Sequence, residues 1–332
     1  MSKPVGIIPN PMSGKDIRRL TSHASVFDNI EKINIVRRLL LALDSYNVEE
    51  VLIMPDSFGI GKQAIDMLGP LLKNIKVDFL DMRVTDSPQD STLAAELMNK
   101  HRVACIITLG GDGTVRAASK GSHDTPILPL STGTNNVVPY MIEATIAGLV
   151  AAALSQGVIS KTDACYRSKL SHVELETGEE DYALVDVALC TDLFVGTRAI
   201  WDIDRVEYVI TTRGEPHNIG LSSIIGVVNP LTVYDDFGAF VKVSRENFRQ
   251  LVYAPIAPGK VVEVPLEEFK LLKFNERIDI EKFVGTLAFD GEREIVVYDK
   301  DLKLWVNRDG PYIVDIVKSL RLAQKRDFFQ VK

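Results

Sequence analysis

The chain has 332 residues, 46% of them hydrophobic and 25% charged, with a formal net charge of -7. That length suits two domains rather than one core, and the composition excludes a disordered chain. The acidic balance excludes a broad nucleic-acid-binding surface, which needs a basic footprint, but leaves room for a local cleft that takes a small phosphorylated ligand.

Up to about residue 155, short apolar runs alternate with amphipathic segments. The runs VGIIP (5–9), EVLIMP (50–55), VDFL (77–80), VACIITL (103–109) and PILPL (126–130) are apolar without clean alternation, the pattern of strands buried on both faces. Between them Ile33, Val36, Leu40 and Leu43 recur at helical spacing, and Asp28 with Glu31 predicts a capping box at the start of that helix. Further helices are expected over about 61–73, 91–100, 114–120 and 143–155, the last ending at Gly157. Such alternation predicts a parallel sheet with helices on both faces.

After about residue 160 the texture changes. KLSHVEL, YALVDVALC, RVEYVITT, SIIGVV, GAFVKVS, GKVVEVPL, ERIDI, GTLAFDG and REIVVYD alternate more cleanly, separated by turn residues. They predict an antiparallel β domain, a sandwich or a partly closed barrel. The tail GPYIVDIVKSLRLAQKRDFF returns to helical spacing through Ile313, Ile316, Val317 and Leu320. The expected division is an α/β domain over 1–157, a β-sandwich domain over 158–308, and a segment 309–332 that packs back on the first domain. Cys105, Cys165 and Cys190 have no paired spacing, no apolar run has bilayer length, and MSKPVGIIPNP is too short and polar for a signal peptide. The expectation is a cytoplasmic protein in a reducing compartment.

The chemistry concentrates at strand ends. In CIITLGGDGTVRAASKG (105–121), an apolar run leads into Gly110, Gly111, Asp112, Gly113 and Thr114, and then into a helix. Glycines let a backbone lie close to a ligand, and a helix N-terminus offers N–H groups to phosphate. An acid in that turn repels bare phosphate, so it implies either a bridging Mg²⁺ or proton transfer at Asp112. The plainer reading is a strand–turn–helix connection with Asp112 as N-cap, a task that Asn performs equally well. Two more loops favour the phosphate reading. PNPMSGK (9–15) follows the first strand, and PLSTGTNNVVP (129–139) follows the fifth. Three such loops are expected side by side on one edge of the sheet.

In that order, NPMSGK, GGDGT and STGTNN resemble the NAD kinase and diacylglycerol/sphingosine kinase superfamily, and LAFDGE (287–292) resembles its late acidic stretch. GKDIRRLTSHASVFDNIEKINIVRR is similar to the NAD kinase-like proteins found with acetoin-catabolism genes, the acetoin catabolism protein X group. The resemblance implies a nucleotide held between an α/β domain and a β-sandwich domain. It also implies ATP-dependent phosphorylation of a hydroxyl, with ATP and Mg²⁺ as cofactors and NAD as one candidate acceptor. By that resemblance Asp112 is catalytic and metal-linked. Asn10, Ser13, Gly14, Gly110, Gly111, Gly113, Thr114, Thr132, Gly133, Thr134, Asn135 and Asn136 bind nucleotide or substrate, and Asp290 and Glu292 are the late acidic pair. The superfamily's Asn-Glu pair is replaced by Val185-Asp186, and LSSIIG (221–226) stands nearest to its GSTAY loop, so phosphorylation of NAD is expected to be weak or absent. The expected partners are a nucleotide and a small-molecule substrate, with no nucleic acid and no membrane, in a homo-oligomer. The alternatives are a non-catalytic nucleotide sensor and, further off, a lipid or sugar kinase.

Other motifs carry less. GIGKQA (59–64) fits a loose dinucleotide pattern but follows the second strand, and reads as a helix-start turn. There is no Walker A loop, and the five histidines lack zinc spacing. Arg18 and Arg19 are placed to reach phosphates or to cover a solvated helix face, and Lys318, Arg321, Lys325 and Arg326 read as a solvated helix end.

Overall fold

The computed structural model describes residues 2–14, 27–133, 135–193 and 202–330. The five apolar runs are five parallel strands: β1 (Val5–Pro9), β2 (Glu50–Ile53), β3 (Lys76–Phe79), β4 (Ile106–Gly110) and β5 (Ile127–Ser131). They lie in the order β3-β2-β1-β4-β5. β1, β4 and β5 are buried at every residue, as both-face burial requires, whereas β3 is the edge and is half exposed.

Helices cover both faces. α1 (Asn29–Ser45) starts where expected: the Ile30 N–H donates to the Asp28 side chain at 3.2 Å. The reciprocal half of the capping box is replaced, because Glu31 accepts from Arg38 (2.7 Å) and Asn34 (3.2 Å). α2 (Ile60–Leu68) stops short of residue 73, since Gly69 takes a positive φ and Pro70 follows. At its start Gly59 has φ 70° and Asp56 accepts the Ile60 N–H, so GIGKQA is a helix-start turn. α3 (Pro88–Lys100) opens earlier than expected, with Pro88 in its first turn, and α4 (Asp112–Ser122) and α5 (Ala144–Ser155) follow. Val36, Leu40, Ala147 and Ala151 form the core on one face of the sheet. Ala94, Met98, Val115 and Ala118 belong to the core on the other.

The chain leaves the first sheet through α6 (Lys161–Ala164) and β6 (Cys165–Arg167). Among the described residues it then builds nine antiparallel strands: β7 (Leu170–Leu175), β8 (Glu180–Ala183), β9 (Asp186–Cys190), β10 (Val206–Thr211), β11 (Phe237–Val243), β12 (Gln250–Ala257), β13 (Lys260–Lys273), β14 (Ile278–Phe289) and β15 (Glu292–Asn307). These make one continuous sheet, β12-β13-β11-β10-β9-β14-β15-β7-β8. Alternate residues feed its two faces: Val209 and Val241 enter one apolar cluster, Ile210 and Phe240 the other. The sheet folds over itself so closely that a Cβ on Gly238 of β11 would lie 2.5 Å from a Val306 methyl on β15. The sandwich-like packing is thus made by one bent sheet. SIIGVV, expected as a strand, is instead the short helix α7 (Ser222–Val228); Ile224 and Ile225 are buried in the first of those clusters.

The tail returns to the first sheet. β16 (Tyr312–Val314) pairs in parallel with β5 and antiparallel with β6, and α8 (Ile316–Lys325) packs beside α5. Ile313, expected in the tail helix, is therefore a strand residue. The outgoing and returning connections touch: the Ser168 N–H donates to the Pro311 carbonyl (2.9 Å) and the Gly310 N–H to the Ser168 carbonyl (3.1 Å). The cysteines are free thiols, and burial pushes Cys165 up to about 12. Among the described residues, no helix is long and apolar enough to cross a membrane.

Candidate functional site

Strand order decides which loops meet. Because β1, β4 and β5 are neighbours, the segments after them converge at one edge. Their polar side chains interlock. Asn10 Nδ2 donates to Thr114 Oγ1 (2.8 Å), and the Ser13 and Thr132 hydroxyls bond at 2.9 Å. Asn136 Nδ2 donates to Ser131 Oγ (2.8 Å), which donates to the Gly133 carbonyl (2.8 Å). Thr134, Arg18 and Arg19 lie outside the described residues.

The glycines differ in their tasks. Gly14 has φ 73°, and a Cβ there would press on the Thr132 carbonyl at 2.7 Å. A Cβ on Gly110 would strike Thr114 at 2.3 Å and one on Gly111 would meet Asn136 Oδ1 at 2.6 Å. Gly133 has more room, 3.3 Å from Asn136, and Gly113 has nothing within 4 Å. Gly113, in the first turn of α4, is exposed. An open glycine at a helix N-terminus fits a phosphate group.

Asp112 does not cap α4; Gly111 holds that position. Asp112 follows it, is 7% exposed, and accepts the N–H groups of Val137 (2.9 Å) and Val138 (2.7 Å). The expectation that Asn would serve there equally well is corrected, since an amide presents one acceptor oxygen where the carboxylate presents two.

The second domain supplies the opposing acid. Asp290 and Gly291 are the two residues between β14 and β15, with φ 51° and 81°. An Asp-Gly pair with two positive φ values is the tight hairpin turn that suits the twist of the flanking strands. Asp290 accepts the N–H groups of Val185 (2.7 Å) and Leu184 (3.2 Å). Burial, reinforced by the neighbouring Asp112 charge and opposed by Arg116, raises its pKa to about 7. Asp112, Asn135, Asp186 and Asp290 line one narrow cavity of about 20 Å³ between the domains. Glu292, the other late acid, is exposed at the start of β15 and does not line it. Among the described residues no group of three or more His, Cys, Asp or Glu side chains is arranged to hold a metal.

Three cations matter here that sequence reading missed. Lys32 is fully buried, and its Nζ donates to the carbonyls of Asn10 (2.8 Å) and Ser13 (2.7 Å), which turns them inward beneath the first loop. Its signal was its place on the apolar stripe of α1, one turn before Val36. Arg213 donates to the Val137 carbonyl, across the domain boundary from the peptide that Asp112 holds. Arg116, one turn after Asp112, reaches Glu294 and Asp181 (both 2.7 Å) and the Tyr182 carbonyl (2.6 Å), and stacks over Phe289 at 4.5 Å.

The parallel sheet with its glycine loops and the facing antiparallel sheet define a protein of NAD kinase-like fold. The family model of the ATP-NAD kinase N-terminal domain matches residues 5–158, and that of the acetoin catabolism protein X C-terminal domain matches 169–309. Acetoin catabolism protein X of Cupriavidus necator is 38% identical over 329 residues, covering 96% of this chain and 92% of that protein. The chain belongs to the acetoin catabolism protein X family. Among solved structures, UDP-GlcNAc 2-epimerase from Neisseria meningitidis bound to UDP-GlcNAc shares 16% identity, with a TM-score of 0.26, over 45% of this chain and 38% of that one. So partial a likeness says nothing about this site.

Proposed function

We propose that the protein is an ATP-dependent small-molecule kinase that transfers phosphate to a hydroxyl. The observation that carries this reading is the pair Asp112 and Asp290, one from each domain, lining one cavity beside three glycine-bearing loops. Bound ATP with Mg²⁺ would supply the phosphoryl group and neutralise charge on its oxygens. The chain's own residues do the rest. Gly111, Gly113 and Gly133 let the backbone approach phosphate. Asp112 fixes Val137 and Val138 and supplies negative charge at the start of α4. Asp290, raised to about 7, is matched to accept a hydroxyl proton near neutral pH. The relative's name links that protein to acetoin catabolism, and we infer the same setting for this chain.

A second reading, nucleotide binding without transfer, is favoured by one observation: Asp112 is already engaged with two backbone N–H groups. Incubation with γ-labelled ATP and Mg²⁺ separates the two. The kinase reading expects label on an acceptor hydroxyl, and the sensor reading expects binding with no turnover across a broad panel. Val185-Asp186 in place of the superfamily's Asn-Glu pair leads us to expect little NADP from NAD. Robust NADP formation by the pure protein would overturn that expectation.

A further inference from the structure

Arg213 stands just beyond the end of β10, and its backbone is fixed there. Thr211 Oγ1 donates to its carbonyl (2.8 Å), and beside it Gly214 and Leu231 exchange two N–H to carbonyl bonds of 2.8 Å. From that post the side chain crosses the domain boundary. Nη2 donates to the carbonyl of Val137, in the loop that follows β5. Asp112 holds the N–H of the same residue (2.9 Å), and Val137 lines the cavity together with Asp112 and Asp290.

The rest of this guanidinium is unmatched. The group carries five N–H donors in a planar fork. Among the described residues it forms no ion pair, and its Nε is buried without a hydrogen-bond partner. Two other arginines show the contrast: Arg116 meets Asp181 and Glu294 at 2.7 Å, and Arg308 meets Asp236 at 3.0 Å. A buried donor left over beside the site points to an acceptor that these residues do not supply. The fork of an arginine matches the oxygens of a phosphate.

Position narrows which phosphate. In the kinase reading the transferred phosphoryl group stands between the glycine loops of the first domain and the Asp290 turn of the second. Arg213 comes from the second domain and grips the Val137 peptide that lines this space, so it serves the terminal phosphoryl rather than the phosphate beside the ribose. Resting on the kinase reading above, we propose that Arg213 binds the terminal phosphoryl oxygens of ATP across the domain boundary and offsets the charge that transfer builds on them. In that step the acceptor oxygen bonds to the γ-phosphorus as the bond from that phosphorus to the β–γ bridging oxygen breaks. ADP leaves with that electron pair, the hydroxyl proton passes to Asp290, and Arg213 keeps its own protons. The Val137 carbonyl ties one end of the fork and so holds it in place before the nucleotide arrives.

The test measures binding of MgATP, MgADP and AMP by titration calorimetry to the unaltered protein, Arg213→Met and Arg213→Lys. Arg213→Met is expected to weaken MgATP about tenfold or more, the scale of one hydrogen bond to a charged group, and MgADP and AMP by less than about threefold. Arg213→Lys keeps the charge and loses the fork, and should recover part of the MgATP affinity. A residue that merely pins the loop would weaken all three nucleotides alike, and that result overturns the proposal. Unchanged MgATP binding by Arg213→Met overturns it too. If Arg213→Met does not fold, Arg213→Lys decides: a loss confined to MgATP supports the assignment, and equal losses or none overturn it. A loss confined to MgATP with no ADP release to any acceptor overturns the kinase reading and leaves Arg213 as the terminal-phosphate ligand of a nucleotide sensor. Failure of the unaltered protein to bind MgATP removes both.

Discussion

Replacing Asp112 by Asn keeps the size of the side chain and removes its charge. Two effects follow from what it touches. The N–H groups of Val137 and Val138 lose a charged acceptor, and hydrogen bonds to charged groups are worth about 1.5–3 kcal/mol. Asp112→Asn should therefore lower stability by about 2 kcal/mol in chemical denaturation and lower turnover by roughly 10²-fold, the size of loss that follows when a charge preorganised at the reacting group is removed. Unchanged turnover would remove Asp112 from the chemistry. Asp290 makes a separate forecast through pH. Its pKa rises from an ordinary 3.8 to about 7, so the folded state holds a proton that the unfolded chain releases. The stability this gives is full below about pH 4 and is lost as pH rises through 7. Asp290→Asn should erase that slope while keeping the turn, because Asn also tolerates a positive φ. Equal pH slopes in the two proteins between pH 4 and 7 would contradict the assignment.

At the level of elements, α4 and the loops beside it form the working unit. Gly111 has φ -99°, so no backbone strain bars a side chain there; the obstacle is Asn136. Gly111→Val should push Asn136 off Ser131, spread the 131–136 loop, and abolish the thermal shift given by ATP while the fold persists. Normal nucleotide binding by a folded variant would place the cradle elsewhere. These loops were legible in the sequence because three of them, each rich in glycine and hydroxyl or amide side chains, follow dense apolar runs, and a parallel sheet brings the carboxyl ends of its strands to one edge. The alternation of strands and helices in the first domain was legible for a similar reason: every strand but the edge one is a dense apolar run. Other elements hid. α7 is short and packed on the bent sheet, so its apolar run lacks a visible helical period. β16 precedes α8 directly, and Ile313 happens to fall in step with that helix. The cations were least visible: Lys32 and Arg116 resemble ordinary helix-surface charges until packing turns them inward. In the sequence the Asp-Gly pair at 290–291 has the look of an acidic motif alone, and its hairpin geometry explains how the acid reaches the domain boundary.

Across the whole molecule, Arg116 is the clamp. Its side chain is 6% exposed, whereas Asp181 and Glu294 are 24% and 34% exposed. Removing one member of a buried ion pair costs about 3–5 kcal/mol, and the partly wet carboxylates place this case near the lower end. Arg116→Met should cost about 3 kcal/mol and loosen the second domain against α4, raising hydrogen exchange in β8 and at the start of β15. Protection equal to that of the unaltered protein would show that the domains are held by other contacts. The paired connections at Ser168 and Gly310 have a consequence of another kind. A Cβ on Gly310 would sit 2.7 Å from the Ser168 carbonyl, so the chain departs from the first domain and rejoins it through a single doorway. The acetoin catabolism protein X C-terminal match spans 169–309, the stretch between those two points. Such a stretch is a cassette: a short splice from 168 to 310 would close the α/β body behind it, and a different cassette grafted at the same doorway would present new walls to the same phosphate loops.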